Sequence, residues 1–331
     1  MQKLLSAKRN NITEREHFGT ILLFGQNQIL KEIGNEEPNR YFYLRSCAKP
    51  IQSSVLEDLG VFDYFDFTPE EIAITCASHS GTDKHTQTVT NILQKIGKQI
   101  GDLQCGTHPP LDAKTRFELK KSGTEPCALH NNCSGKHAGF LAACIKQSWD
   151  CTTYLDQEHP LQKLIIKKIG DYCDFETKTI AKDGCNAPIL AMPLRNMCRG
   201  FGKTLQNYPR IVDAMAQNPY MAGGKGRIDS EITFASDGRL IAKVGAEGIC
   251  MVYNLATQEV LTVKILDSNE QARAIVLIEA MLQLKWCTLE QIENTPLKKF
   301  FNKTVKTSTG EVVGKIVSEF SYLQPQVFTD L

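Results

Sequence analysis

Apolar positions along this chain recur with two periods. Ile21-Leu22-Leu23-Phe24 and Gln28-Ile29-Leu30-Lys31-Glu32-Ile33 read as strands joined by the turn Gly25-Gln26-Asn27. Helical spacing appears in Val89, Ile92, Leu93 and Ile96, ending near Gly97, and again in Leu161, Leu164, Ile165 and Ile169. It returns in Phe140, Leu141, Cys144 and Ile145, in much of 189–217, and in Ala272, Ile275, Val276, Ile278, Met281 and Leu282. Two short apolar runs, Tyr41–Leu44 and Ile72–Cys76, read as buried strands. Leu240–Gly248, Ile249–Tyr253 and Val260–Ile265 predict an antiparallel meander, and the tail adds a short helix and the apolar run Val312–Val317. No repeat, low-complexity tract or linker interrupts the pattern, so residues 1–331 are expected to form one α/β unit.

Composition narrows the class. The chain has 331 residues, 42% of them hydrophobic, and a net charge of +1, which gives no electrostatic reason to expect a nucleic acid or an acidic membrane as partner. No apolar run reaches membrane-spanning length, and Met1–Arg9 has no signal-peptide core, so a cytoplasmic protein is expected. Twelve cysteines there mean thiols, most of them small core residues, and no C-x-x-C pair supports a zinc finger or a thioredoxin motif.

Candidate chemistry starts at Arg45-Ser46-Cys47-Ala48-Lys49-Pro50. If Ser46 opens a helix, Lys49 lies one turn on and on the same face. A lysine whose pKa is lowered by burial or by another cation can deprotonate a serine. A capping serine beside a solvated lysine explains the same four residues. Ser78-His79-Ser80-Gly81 reads as a loop suited to binding or to helix capping. Cys105–Pro110, with two prolines, is irregular. His130–Gly139 crowds polar residues before an apolar helix, whose N-terminus would lower the pKa of Cys133. Lys182–Pro188 is a tight turn carrying Asp183 and Cys185. Ala222–Asp229 is glycine-rich without the Walker pattern, so it is a substrate-contacting or a plain surface loop. Lys243-Val244-Gly245 would let a ligand approach the backbone. Glu14 and His17 are salt-bridged surface residues or line a site.

Taken in order, Ser46-Cys-Ala-Lys49, Cys76-Ala-Ser-His-Ser-Gly81, Cys105-Gly-Thr-His-Pro-Pro110, Asn131-Asn-Cys-Ser-Gly-Lys-His-Ala-Gly139, Asp183-Gly-Cys-Asn-Ala-Pro188 and Lys243-Val-Gly-Ala-Glu-Gly248 resemble the rhizobial-type L-asparaginases, the thermolabile asparaginase II family. The resemblance runs from about Arg9 to the last strands. It implies the fold of serine β-lactamases and glutaminases: a mainly antiparallel central sheet flanked by helices, with a helical portion here within roughly 84–220. It implies hydrolysis of L-asparagine to L-aspartate and ammonia by two serine–lysine pairs, Ser46 with Lys49 and Ser78 with Lys243. It further implies a zinc ion (Zn2+) held by Cys133, Lys136 and Cys185 with a water, substrate-binding roles for Arg45, Asp183 and His137, and a homodimer. Two departures stand out: the Gly223–Arg227 loop is more basic than in the family, and Asn186 follows Cys185 where a smaller residue is expected. Other readings are a different serine–lysine amidohydrolase such as a glutaminase, or a non-enzymatic zinc- or redox-sensing protein.

Overall fold

Eleven strands, β1 (Gln2–Arg9), β2 (Ile12–Gly25), β3 (Gln28–Ile33), β4 (Phe42–Tyr43), β5 (Ile180–Lys182), β6 (Pro188–Met192), β7 (Leu240–Val244), β8 (Ile249–Asn254), β9 (Glu259–Ile265), β10 (Thr304–Lys306) and β11 (Val312–Ser318), are found in the computed structural model, which describes residues 2–34, 40–176 and 178–321. The main sheet is antiparallel and runs β10-β11-β1-β2-β9-β8-β7, with β3 also paired to β2; a second, small sheet runs β4-β6-β5. The period of two along each strand divides its side chains between two cores. Leu22, Ile241, Met251 and Tyr253 face one, shared with the helices between β4 and β7. Ile21, Ala242, Val252 and Val263 face the other, under the helix Glu270–Gln283. Every residue of β7 and β8 is buried, so helices cover this part of the sheet on both faces.

The hairpin at Gln26-Asn27 forms as expected, with φ +50° and +62° at its two central residues, and the β7–β8–β9 meander is present. Ile72–Cys76 is not a strand. Pro69–Thr75 is a helix, opened by a capping box between Thr68 and Glu71 with Pro69 in its first turn. All of Ile72, Ala73, Ile74 and Cys76 are buried, so the segment shows no polar stripe from which a helix could be read. Tyr41–Leu44 holds a strand of only two residues, with Tyr41 and Tyr43 exposed. The helical pattern after Pro188 starts only at Leu194; Pro188–Met192 is β6. Strand β1, between β2 and β11, was not foreseen.

All twelve cysteines are free thiols, nine of them buried. Among the described residues no helix is long and apolar enough to cross a membrane. His17 is buried against Asp267 at 2.7 Å and Glu14 pairs with Arg9 at 2.9 Å, so both are structural.

Candidate active site

Strand β4 ends at a sharp turn. Leu44 donates its N–H to Leu190 of β6, and Arg45 takes φ +49°, a conformation that costs a non-glycine residue about 1–2 kcal/mol. Arg45–Ala48 is then a 3-10 turn, and the α-helix Lys49–Asp58 follows with Pro50 in its first turn. Ser46 is therefore carried on a strained strand-to-helix corner and is half-buried. Behind the corner lies Gly245, at the end of β7. A Cβ there would meet Ile249 Cγ2 at 2.4 Å, Cys47 Sγ at 3.2 Å and the Leu44 carbonyl at 3.4 Å. The missing side chain of Gly245 thus admits the Ser46 corner itself, not a ligand. Cys47 reinforces the contact by donating its thiol to the Lys243 carbonyl at 3.4 Å. Gly245→Val is expected to destabilise the fold by about 1–3 kcal/mol through overpacking and to lower activity by moving Ser46, as urea unfolding and assays below the melting range will read.

The two lysines converge on one serine. Lys49 Nζ donates to Ser78 Oγ at 3.1 Å, to Asn132 O at 3.4 Å and to Ala77 O. Lys243 Nζ donates to Ser78 Oγ at 3.0 Å and to Val244 O at 2.7 Å. The expected Ser78–Lys243 pair is present, but among the described residues no hydrogen bond joins Lys49 to Ser46. The helix begins at Lys49 itself, so these two residues do not share a regular helical face. Burial lowers the pKa of Lys49 below the ordinary lysine value; Lys243 and Lys136 add to the effect, and the sulfurs of Cys133 and Cys185 oppose it. Asp229, 1% exposed, stands 3.6 Å from Lys243 Nζ and accepts the Val244 N–H at 3.3 Å. Burial alone would raise the Asp229 carboxyl, but Lys243 first, then Arg227, the Val244 N–H and Arg273, hold it below the usual carboxylate value. Asp229 is the site residue that sequence reasoning missed. A lone aspartate following glycine and arginine carries no local signal of what it will face.

The glycine-rich segment does not line the cleft. Ala222 O accepts the Ser78 N–H at 3.0 Å and Gly223 O accepts the Ser80 hydroxyl at 2.8 Å, so the segment packs behind the Ser78 loop and fixes it.

A sulfur centre lies beside the lysines. Cys133 caps the helix Ser134–Gln147, Lys136 sits in its first turn, and the β5–β6 hairpin brings Asp183 and Cys185 across to them. Lys136 Nζ donates to Cys185 Sγ at 3.0 Å, and Cys133 Sγ donates to Asn132 Oδ1 at 2.9 Å. The charge falls on Cys185, not on Cys133 as the helix N-terminus alone suggests. Cys133 beside it, and then Lys136, lower the Cys185 thiol far below its ordinary value against the effect of burial, while Cys133 is raised by Cys185 and by burial. Lys136 stays an ammonium: burial opposes this, but the Cys185 and Cys133 sulfurs raise it. His137 is fully buried behind Cys185. Its Nδ1 lies 2.8 Å from the Tyr154 hydroxyl, its Nε2 has no hydrogen-bond partner, and burial lowers it to about 4, so it is neutral. Among the described residues no cluster of three or more His, Cys, Asp or Glu is arranged to hold a metal. Two thiol groups and one amine at hydrogen-bonding range nonetheless form a donor set that fits zinc once Lys136 and Cys133 lose their protons. Asn186 has φ +69°, where asparagine is tolerated better than other residues with a side chain, and it ties the hairpin to Gln104 O at 3.0 Å.

Arg45, Ser46, Lys49, Lys136 and Asp183 line one small cleft, walled by Pro188–Leu190 of β6. Its volume is about 10 Å³, room for no more than one water. Arg45 Nε bonds Asp183 Oδ1 at 2.9 Å, and its Nη1 lies 3.5 Å from Glu247. Ser78, His137 and Lys243 are not on this surface.

The family model for "L-asparaginase II" matches residues 5–318. No curated protein matches. Among solved structures, a candidate beta-lactamase from Bacteroides dorei DSM 17855 is 12% identical, with a TM-score of 0.33, covering 74% of this chain and 84% of that one. The family match spans the Ser46 corner, both buried lysines, the sulfur centre and the sheet that carries them, and on it the chain belongs to the L-asparaginase II family, whose chemistry is that of asparaginase-type amidohydrolases.

Proposed function

We propose that the protein hydrolyses the side-chain amide of L-asparagine, with Ser46 as nucleophile and Lys49 as its base. The observation that carries this reading is Lys49: it lines the cleft beside Ser46 and, at its back, hydrogen-bonds a serine that a second lysine also holds. Neutral Lys49 takes the Ser46 proton as Oγ attacks the amide carbon. Collapse of the tetrahedral adduct breaks the C–N bond, and the proton returns to the leaving amine, which departs as ammonia. Water then cleaves the acyl-serine, and aspartate leaves. Ser78 and Lys243, behind Lys49, restore its proton balance. The Cys47 N–H is already bonded to Leu44 O at 3.2 Å, so the oxyanion needs a different donor in the cleft.

The Arg45–Asp183 pair supports an amino acid as substrate. A zwitterion can replace it, its carboxylate on Arg45 and its ammonium on Asp183. His137 suits a positioning role behind Cys185 better than direct contact with substrate. Cys133, Lys136 and Cys185 would hold zinc, which when bound would supply a local positive charge beside the substrate. A homodimer in the cytoplasm is part of the same proposal.

The test is ammonia release from L-asparagine and L-glutamine by metal-replete enzyme. Asparagine turnover is expected; no release from either amide would sink the reading, and a preference for glutamine would favour the glutaminase alternative. Zinc is tested separately. Cys185→Ser, a substitution that removes the buried thiolate, should leave purified protein with far less than one zinc per chain where the wild type retains about one. Equal metal content by elemental analysis would refute the ligand set.

A further inference from the structure

A second cavity, of about 460 Å³, opens on the far side of β7 from the Ser46 corner. Arg227, Arg273 and Lys299 line it, together with Ile228, Val244 and Phe300. Its charge is unbalanced. Arg273, whose side chain is 6% exposed, has Glu270 at 4.0 Å, a carboxylate that is 79% exposed and also borders the cavity, and it stands close enough to the buried Asp229 to help hold that carboxyl down. The Arg273 Nε is buried and has no hydrogen-bond partner among the described residues. A guanidinium N–H shut away from water without an acceptor is costly, and a small turn of the Arg273 side chain toward a ligand oxygen would meet that need. Among the described residues the Arg227 side chain makes no hydrogen bond or ion pair. Lys299, exposed, donates to the Gly226 carbonyl at 3.0 Å and lies 4.7 Å from the Phe300 ring centroid, and among the described residues it has no carboxylate partner. This is also where the unexpectedly basic Gly223–Arg227 stretch comes to rest.

We infer that this cavity is a binding site for a small molecule bearing an oxyanion head, phosphoryl or dicarboxylate, whose remainder lies against Ile228, Val244 and Phe300. Arginine suits such a head because its planar N–H groups match two oxygens at once, and here two guanidiniums and an ammonium border one space. The size falls in the range of small-ligand pockets. The site is separate from the Ser46 cleft but borders its supports: Val244, in the cavity wall, donates its N–H to Asp229 and accepts from Lys243 through its carbonyl. The inference does not depend on which amide the enzyme hydrolyses.

Titration calorimetry with inorganic phosphate and with malonate, at constant ionic strength, tests it on the full chain. At least one probe should bind saturably, one per chain, and roughly tenfold more weakly to Arg227→Gln and to Arg273→Gln, as loss of a charge-assisted hydrogen bond predicts. Arg227 is only half-buried, so its variant remains informative should Arg273→Gln fail to fold. Binding of phosphate alone would assign a phosphoryl head, and of malonate alone a dicarboxylate. No saturable binding of either probe, or equal binding by wild type and Arg227→Gln, would overturn the inference.

Discussion

Ser46→Ala should lower kcat for ammonia release from L-asparagine by about 10⁴-fold or more, the scale on which loss of a covalent nucleophile is felt. Stability should change by less than about 0.5 kcal/mol, because Ser46 is only half-buried and its side chain makes no hydrogen bond among the described residues. Ser78→Ala tests the competing assignment. Ser78 is 4% exposed, and its hydroxyl lies between the Lys243 and Lys49 Nζ atoms at 3.0 and 3.1 Å, off the surface of the cleft. Loss of that hydroxyl should slow turnover by about 10²–10³-fold, as loss of a proton-transfer partner does, without removing the covalent intermediate. Acid-quenched enzyme analysed by mass spectrometry separates the two: an aspartyl adduct on Ser46 is expected in the wild type and in Ser78→Ala, and none in Ser46→Ala. An adduct on Ser78 would reverse the roles. The pH profile follows from Lys49. A base must be neutral, and burial holds Lys49 below the ordinary lysine value, so kcat/KM should rise with pH through that lowered ionisation. In Lys49→Met the limb should vanish with the activity.

The second large effect is expected at Asp229. Asp229→Asn leaves the Lys243 ammonium buried without its counter-charge, which typically costs about 3–5 kcal/mol. Removing both charges, in Asp229→Asn with Lys243→Met, should cost less than the sum of the single changes; additive losses would show that the pair is not coupled. The pH dependence has a definite sign. The folded-state pKa of Asp229 lies below its ordinary 3.8, so the carboxylate's contribution is fully present above that value and is lost as pH falls through the lowered one. The stability gap between wild type and Asp229→Asn should therefore narrow in strong acid, as urea midpoints across pH will report. Activity should fall about 10²-fold in the single variant, since Lys243 then holds Ser78 less firmly.

How far the sequence could be read depended on whether a residue's partner was local. The meander was legible because five- to seven-residue apolar runs ended in turn residues, and the helix after Cys133 because its apolar positions follow a crowded polar cap. Ile72–Cys76 was not, because a helix buried on all sides has the same composition as a buried strand. Of the residues to which the sequence and its family resemblance point, Arg45, Ser46, Lys49, Lys136 and Asp183 come together at one cleft, with Ser78 and Lys243 behind it. Their pairing was not fully legible: an i to i+3 spacing suggested Lys49 for Ser46, whereas the fold turns Lys49 to a serine 29 residues away. The charge at the sulfur centre followed the same rule. A helix terminus favours a thiolate at Cys133, but Cys185, which a distant hairpin delivers, is the thiol lowered, first by Cys133 and then by Lys136. Asp229 and the role of Gly245 exist only in three dimensions, as close approaches between segments about 15 and 200 residues apart.

The β5–β6 hairpin has one more consequence. It contributes Asp183 to the substrate cleft, Cys185 to the sulfur centre and Pro188–Leu190 to the cleft wall, and that cleft holds no more than a water. For an amino acid to bind there as proposed, the cleft would have to widen. The proposed turnover would then include a step in which the β6 wall gives way, with the Lys136–Cys185 contact that the proposed zinc site needs kept in place. Such a step feels the medium. The maximal rate should fall as solvent viscosity rises wherever opening, not bond cleavage, sets the pace, and closing over the acyl-serine leaves that ester a single confined water as its hydrolytic partner.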